Sequence, residues 1–211
     1  MKIPRTLVVK FLSDTTFGSG RGTPGMVDVE VEHDELGLPF LGGKAFRALL
    51  RDSWLSMQCV FPDLFPAACR VFGMPGDMDD GAILRIGNAV VDSETREWIR
   101  AALERDMNPV SPKDVFDALT AIRRQTAMDR ATGAPAETTL RATRVVIRGL
   151  ELKAPLTWLE EPTEAEVRCL ALATLATRHA GLGRNRGRGH IAVSLDGSRD
   201  ETVEIAGGVC P

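Results

Sequence analysis

Between Phe17 and Arg51 a glycine-rich loop, an alternating acidic segment and a basic-faced helix follow one another without a break, and this span most limits what the chain can become. Gly18, Gly20, Gly22 and Gly25 permit close approaches that a side chain would forbid, so a ligand's backbone can lie against this loop. Val27, Val29 and Val31 alternate with Asp28, Glu30 and Glu32, the period of an extended segment with one apolar and one acidic face. Asp28 is therefore expected to point away from the apolar side. After the turn signal Gly37-Leu38-Pro39 and the pair Gly42-Gly43, Phe46, Leu49, Leu50, Trp54 and Met57 recur at helical spacing, with Lys44, Arg47 and Arg51 on another face. Alone, an acidic strand is most often a solvated sheet face, and a basic stripe most often keeps a helix soluble. Together, flexible loop, carboxylates and cations suit a phosphate backbone and a metal ion.

A second span near the other end strengthens this reading. In GLGRNRGRGHI, Gly181, Gly183, Gly187 and Gly189 interleave with Arg184, Arg186 and Arg188. Backbone N–H groups exposed by glycine, alternating with guanidiniums that fork onto phosphate oxygens, make a chemically sensible nucleic-acid clamp. A lone glycine-arginine tract can equally be a disordered tail, but here a helical stretch precedes it and the strand-like IAVSL follows directly.

These spans carry a family resemblance. The first resembles the N-terminal signature of the RAMP superfamily of CRISPR effector subunits, specifically the backbone proteins of type III complexes, with Asp28, Gly37-Leu38-Pro39, Gly43, Phe46, Arg47, Leu50 and Arg51 on the signature positions. Two positions differ: the usual small-hydroxyl pair reads Lys44-Ala45, and the helix glycine is Ala48. The second span resembles the family's C-terminal glycine-rich loop, and TAMDRATGAPAETTLRATRVVIRGLEL resembles its thumb region. The resemblance implies an α+β fold: a ferredoxin-like or RNA-recognition core with a helical insertion and a protruding thumb-like β-hairpin or loop. It implies guide RNA (crRNA), target RNA, the large polymerase-like subunit and copies of itself or related RAMP subunits as partners. It also implies that Asp28 is the residue required for metal-dependent cleavage of target RNA, with a transient Mg2+ (or Mn2+) and no organic cofactor.

The chain has 211 residues, enough for one domain with sizeable insertions, and is 44% hydrophobic. Its net charge of −3 excludes a general polycation, so a nucleic-acid site must be a local patch. No apolar run approaches membrane-spanning length and the N-terminus shows no signal pattern, so a cytoplasmic, non-membrane protein is expected. Cys59, Cys69, Cys169 and Cys210 show no zinc spacing and read as reduced, mostly buried thiols.

Residues 1–211 read as a single RAMP domain. Core elements are expected over about 1–58, 82–92 and 145–195, an insertion over about 59–81, a helical segment over about 93–124 and the arm over about 125–148. TLVVKFL, ILRIGNAVV, GLELKAPLTWL and IAVSL read as strands. Pro62, Pro66 and Pro75 break the periodicity of the insertion. Helices are predicted from Glu94 to Arg105, from Ser111 as N-cap through Gln125, and from a Thr163/Glu166 capping box to Gly181. The arm has little to bury, and so should project from the core. With no tyrosine and few exposed-looking phenylalanines, base stacking of the usual RNA-recognition kind is not expected.

RNA carries its own nucleophile, the 2′-hydroxyl, so a protein need only align the backbone and stabilise developing charge. One carboxylate is enough to recruit a hydrated Mg2+ that also takes phosphate oxygens. Asp28 is the candidate for catalysis and for metal, with His33 as a weaker candidate for proton exchange. Gly18, Gly20, Arg21, Lys44, Arg47, Arg51, Arg123, Arg124, Arg130, Arg184, Arg186 and Arg188 are the candidate RNA-binding residues. His179 and His190 flank the arginine loop and read as phosphate-adjacent or structural. No Walker loop, Ser-His-Asp order or H-E-x-x-H is present. Two other readings stay open: a non-catalytic RNA-binding or capping subunit of the same kind of complex, and a metal-independent guide-RNA processing endonuclease using a histidine.

Overall fold

The computed structural model describes residues 2–18, 20, 22–73, 81–105 and 109–208. At its centre lies a four-stranded antiparallel sheet of β1 (Thr6–Phe11), β2 (Leu84–Ile86), β5 (Glu151–Trp158) and β6 (Ile191–Leu195), in the order β2-β5-β1-β6. Helix α1 (Gly43–Met57) crosses from β1 towards β2, and α5 (Glu164–Ala176) crosses from β5 to β6. Counting only these six elements, the path is βαββαβ with the two middle strands adjacent, the split βαβ arrangement of the ferredoxin-like core. That part of the sequence reading holds.

Period-two patterning builds the inner face. Leu7, Val9 and Phe11 sit opposite Leu195, Val193 and Ile191 on one side, and Leu7 and Val9 sit opposite Ala154 and Leu152 on the other. All are buried, with Phe46, Leu50 and Trp54 of α1 and Leu170 and Leu172 of α5 closing the core over them. Helix α5 starts on the expected capping box: Thr163 accepts from the Glu166 backbone N–H while the Glu166 carboxylate accepts from Thr163 N–H.

Three expectations need correction. The span 59–81 is not merely an insertion, because α2 (Phe65–Phe72) buries Ala67, Ala68, Val71 and Phe72 in the main core and packs on α5. Pro66 is compatible with that helix because it falls in its first turn, where the missing N–H has no intrahelical partner to lose. Residues 74–80 of that span lie outside the described residues. Second, α5 ends at Ala176 rather than running to Gly181: the Thr177 hydroxyl donates to the Ala173 carbonyl and meets Ser53 Oγ of α1 at 2.8 Å, and the chain turns away.

Third, the helix expected from Ser111 to Gln125 is two elements. Helix α3 (Ser93–Leu103) forms as read, and α4 (Pro112–Leu119) keeps its Ser111/Asp114 capping box. But Thr120 is extended, with its hydroxyl donating to the Phe116 carbonyl, and Thr120–Gln125 is strand β3. It pairs residue for residue with β4 (Arg141–Val146), from Thr120↔Val146 to Gln125↔Arg141. The arm is thus a two-stranded ribbon starting at Thr120, with residues 126–140 mostly exposed at its tip.

Candidate nucleic-acid interface

The acidic segment folds as its alternation predicts: Val27 and Val31 are buried, and Asp28 is exposed. It lies against the arm as an extra extended segment. Asp28 N–H donates to the Ala142 carbonyl at 2.8 Å, Ala142 N–H donates to Asp28 Oδ2 at 2.7 Å, and Arg144 N–H donates to the Val29 carbonyl at 3.0 Å. One carboxylate oxygen is therefore committed to the arm. Oδ1 accepts no hydrogen bond among the described residues.

Asp28 stands on the ridge between two hollows. One, of about 450 Å³, is bounded by 22–28 of the glycine loop and by Arg124, Leu140 and Ala142 of the arm. The other, of about 540 Å³, is bounded by Gly18, Gly20, Asp28 and Glu32, by Ala45, Ala48 and Leu49 of α1, and by Gly181 and Leu182. The glycine-arginine loop reaches this place by crossing the exit of β1: Leu182 N–H donates to the Thr16 carbonyl, and Gly189 N–H donates to the Asp14 carbonyl. A Cβ on Gly181 would lie 2.0 Å from the Thr16 oxygen, so the crossing requires glycine. The two glycine-rich stretches, about 160 residues apart, thus border one hollow.

Beyond that crossing, Arg184–Arg186 form a short 3-10 turn between Gly183 and Gly187. Arg184 and Arg186 are exposed, and Arg188 is half-buried with its stem against Gly183. Arg186 Nη1 donates to Gln125 Oε1 at 3.3 Å, and together with Arg141, Thr126 and Thr139 it bounds a third hollow of about 400 Å³ where the ribbon passes into the arm's tip. No carboxylate borders this hollow among the described residues, so it is the most anion-receptive depression of the three.

Other expected site residues are dispersed. Arg123 Nε and Nη2 are both held by Asp14 Oδ2 at 2.7 Å, so it fastens the arm to the β1 exit rather than facing ligand. The face of α1 towards the Asp28 hollow carries Ala45, Ala48 and Leu49, and at about 100° per residue the Lys44, Arg47 and Arg51 stripe is turned roughly a third of a circle from it. These cations do not line the Asp28 hollow. Lys44 is exposed, Arg47 is engaged within the chain, and Arg51 has its Nε buried without a hydrogen-bond partner. Arg130 is exposed at the arm's tip, and Arg21 lies outside the described residues.

His33 borders neither hollow that Asp28 borders. Its ring packs 4.4 Å from Phe116 of α4, and Nδ1 meets the Asp34 carbonyl. His179 and His190 stack at 5.4 Å at the base of the arginine loop. Cys169 is buried, and burial pushes its thiol far above the ordinary range; Cys69 is half-buried, Cys59 is exposed, and Cys210 lies outside the described residues.

Among the described residues no group of three His, Cys, Asp or Glu side chains could enclose a metal ion. The donor set suits instead a cation shared with RNA: Oδ1 of Asp28, with Glu32 on the same hollow, would supply one or two carboxylate oxygens, and phosphate and water would supply the rest. Glu32 and Arg141 border these hollows, though the sequence reading left them unassigned. Glu32 was marked only by sharing the alternation of Asp28, and Arg141 only by the arginine content of the arm.

Comparison with known proteins adds the following. The family model described as "RAMPs: RAMP superfamily" matches residues 8–192. No curated protein matches. Among solved structures, a chain of "Cryo-EM structure of the Type III-B Cmr-beta bound to cognate target RNA" superposes with a TM-score of 0.67 at 12% identity, over 95% of this chain and 99% of that one. A chain of "Type III-B Cmr-beta Cryo-EM structure of the Apo state" gives 0.67 and 12% over 93% and 98%. At such identity the likeness is one of fold. No helix among the described residues is long and apolar enough to cross a membrane.

Proposed function

Because the chain belongs to the RAMP superfamily, we propose that it is a backbone subunit of a type III CRISPR ribonucleoprotein, binding guide RNA and cutting paired target RNA at Asp28. The observation that carries this reading is the ridge position of Asp28, between the glycine-arginine loop on one side and Arg124 on the other. Fold likeness to subunits of a type III-B complex, one solved with cognate target RNA, supports the assignment to that kind of assembly. In it, related copies, the guide strand and the large polymerase-like subunit would be the partners, with the arm reaching to a neighbour.

In the proposed reaction the 2′-hydroxyl of the target gives up its proton to water as its oxygen attacks the adjacent phosphorus, the bond to the 5′-oxygen breaks, and that oxygen takes a proton from water, leaving a 2′,3′-cyclic phosphate and a 5′-hydroxyl. A divalent cation bound with the RNA would neutralise charge on the phosphate and the departing oxygen. Asp28 would hold that cation through Oδ1. Arg124 would grip the phosphate across the 450 Å³ hollow, and the arginine loop would hold the strand in register.

The bond from Ala142 to Asp28 Oδ2 favours a second reading, in which Asp28 only anchors the arm and the subunit is a scaffold. Asp28→Asn separates the two, because the amide oxygen still accepts from Ala142 while the charge is gone. In the assembled complex, Asp28→Asn and Asp28→Ala should both slow cleavage by about 10²-fold or more, with target affinity within about twofold of wild type. Chelation should stop cleavage, and Mg2+ or Mn2+ should restore it. Cleavage that survives Asp28→Asn, or resists chelation, would refute the catalytic assignment.

A further inference from the structure

Arg144 is a charged side chain held almost out of solvent, 9% exposed, at the junction of three elements. Its Nε lies 2.7 Å from Glu30 Oε1, an ion pair too bent to count as a hydrogen bond. Nη1 reaches Asp117 Oδ1 on α4 and Thr120 Oγ1 at the start of β3, both at 3.2 Å. Its guanidinium stands 4.8 Å over the Phe116 ring, on which His33 also packs. The backbone of the same residue donates to Val29 and accepts from the Thr16 hydroxyl. Two residues earlier on β4, Ala142 makes its paired bonds to Asp28.

Burying a guanidinium is costly, and an apolar side chain of similar volume would commonly serve stability as well. What an arginine adds is a planar guanidinium whose separate nitrogens face two carboxylates at once, Nε towards Glu30 and Nη1 towards Asp117, which neither lysine nor methionine can do. One of those carboxylates, Glu30, is two residues from Asp28 on the same acidic face; the other, Asp117, belongs to α4. We infer that Arg144 is a positioning residue: through Glu30 it clamps the acidic segment to the base of the arm, so that the arm's seating sets where the Asp28 carboxylate points. The inference rests on the reading of Asp28 as the residue that acts on target RNA, and adds that arm and carboxylate move as one body. An arm drawn aside then takes Asp28 with it, and a neighbour or RNA that seats the arm places the carboxylate.

The test compares the two carboxylates of the same guanidinium in the assembled guide-loaded complex, at saturating target RNA. Glu30→Ala should slow cleavage about tenfold, as expected for a small misplacement of an aligning group, while target Kd stays unchanged. Asp117→Ala removes the partner on α4 and should slow cleavage less than about twofold. A purely structural role would slow both in proportion to their loss of Tm. Equal slowing by both, or a wild-type rate for Glu30→Ala, overturns the inference. Arg144→Lys keeps the charge without the fork and should show the same split between rate and affinity; a wild-type rate there overturns it too. Asp28→Asn distinguishes the premise: if it cuts normally, the reading of Asp28 fails and this inference with it. If it is inactive while Glu30→Ala cuts normally, only this inference fails.

Discussion

A side chain at Gly181 would face two obstacles at once, a φ of +75° and the Thr16 carbonyl oxygen 2.0 Å from its Cβ. Gly187, six residues on, has a similar φ of +72° but open space around it. The two positions therefore separate backbone strain from steric exclusion. Gly187→Ala should cost about 1 kcal/mol, the left-handed penalty alone, whereas Gly181→Ala should cost about 3 kcal/mol or more because the loop crossing must open. Denaturant titration of the two variants measures the difference; equal losses would show that the crossing yields. Glycine content marked the loop in the sequence, but which glycine is indispensable depends on Thr16, far away in the chain. Asp28 was legible for the opposite reason, because the alternation from Val27 to Glu32 orients it locally. His33 was misleading, since its nearness in sequence to Asp28 carries no information about Phe116, the ring it packs against.

Most elements could be read from local pattern, and those that could not were decided by distant partners. Val115, Leu119 and Ile122 keep helical spacing, yet the chain turns to strand at Thr120 because residues 141–146 offer a complete ladder, which outweighs helical periodicity. Helix α2 was hidden by Pro66, which sits in its first turn, where a helix tolerates it. The ribbon's independence of the main sheet predicts modularity. Replacing 127–139 by a short Asn-Gly turn should change unfolding free energy by less than about 1 kcal/mol, since the tip buries little. A large loss in calorimetry would mean that the tip folds against the core. Glu166 behaves oppositely. Burial alone would raise its pKa, but hydrogen bonds from Thr163, together with the bond to and charge of Arg70, outweigh that and leave it below the usual carboxylate range. Glu166→Ala removes the capping box and one of the two carboxylates that hold Arg70 among the described residues, so about 2 kcal/mol should be lost in denaturant unfolding.

At the scale of the whole molecule, several carboxylates are more acidic in the fold than in the open chain. Hydrogen bonds from the Thr95 backbone and hydroxyl lower Asp92, bonds from Ser111 lower Asp114, the bond from Lys113 lowers Asp117, and Glu166 is lowered as described. Groups whose folded pKa is depressed contribute stability that is complete above the unfolded values, near 4, and is lost as pH falls through the lower folded values. Tm should therefore be flat across neutral pH with respect to these groups and fall below about pH 4. Charge placement governs RNA binding on the same scale. The chain is net negative, at −3, so a strand should be held where Arg141 of the arm and the arginines of the 184–188 loop gather, and repelled from much of the remaining surface. The logarithm of the affinity for single-stranded RNA should then fall linearly with log salt. Because each phosphate contact on a single strand contributes about 0.7 to that slope, replacing Arg184, Arg186 and Arg188 by alanine should reduce it by up to about 2. Replacing Arg123 should change the slope little, since its guanidinium is held by Asp14. A slope unchanged by the triple replacement, in salt titrations of RNA binding by the purified chain, would remove the loop from the RNA path and leave the anion-receptive hollow of Arg141 without its partner wall.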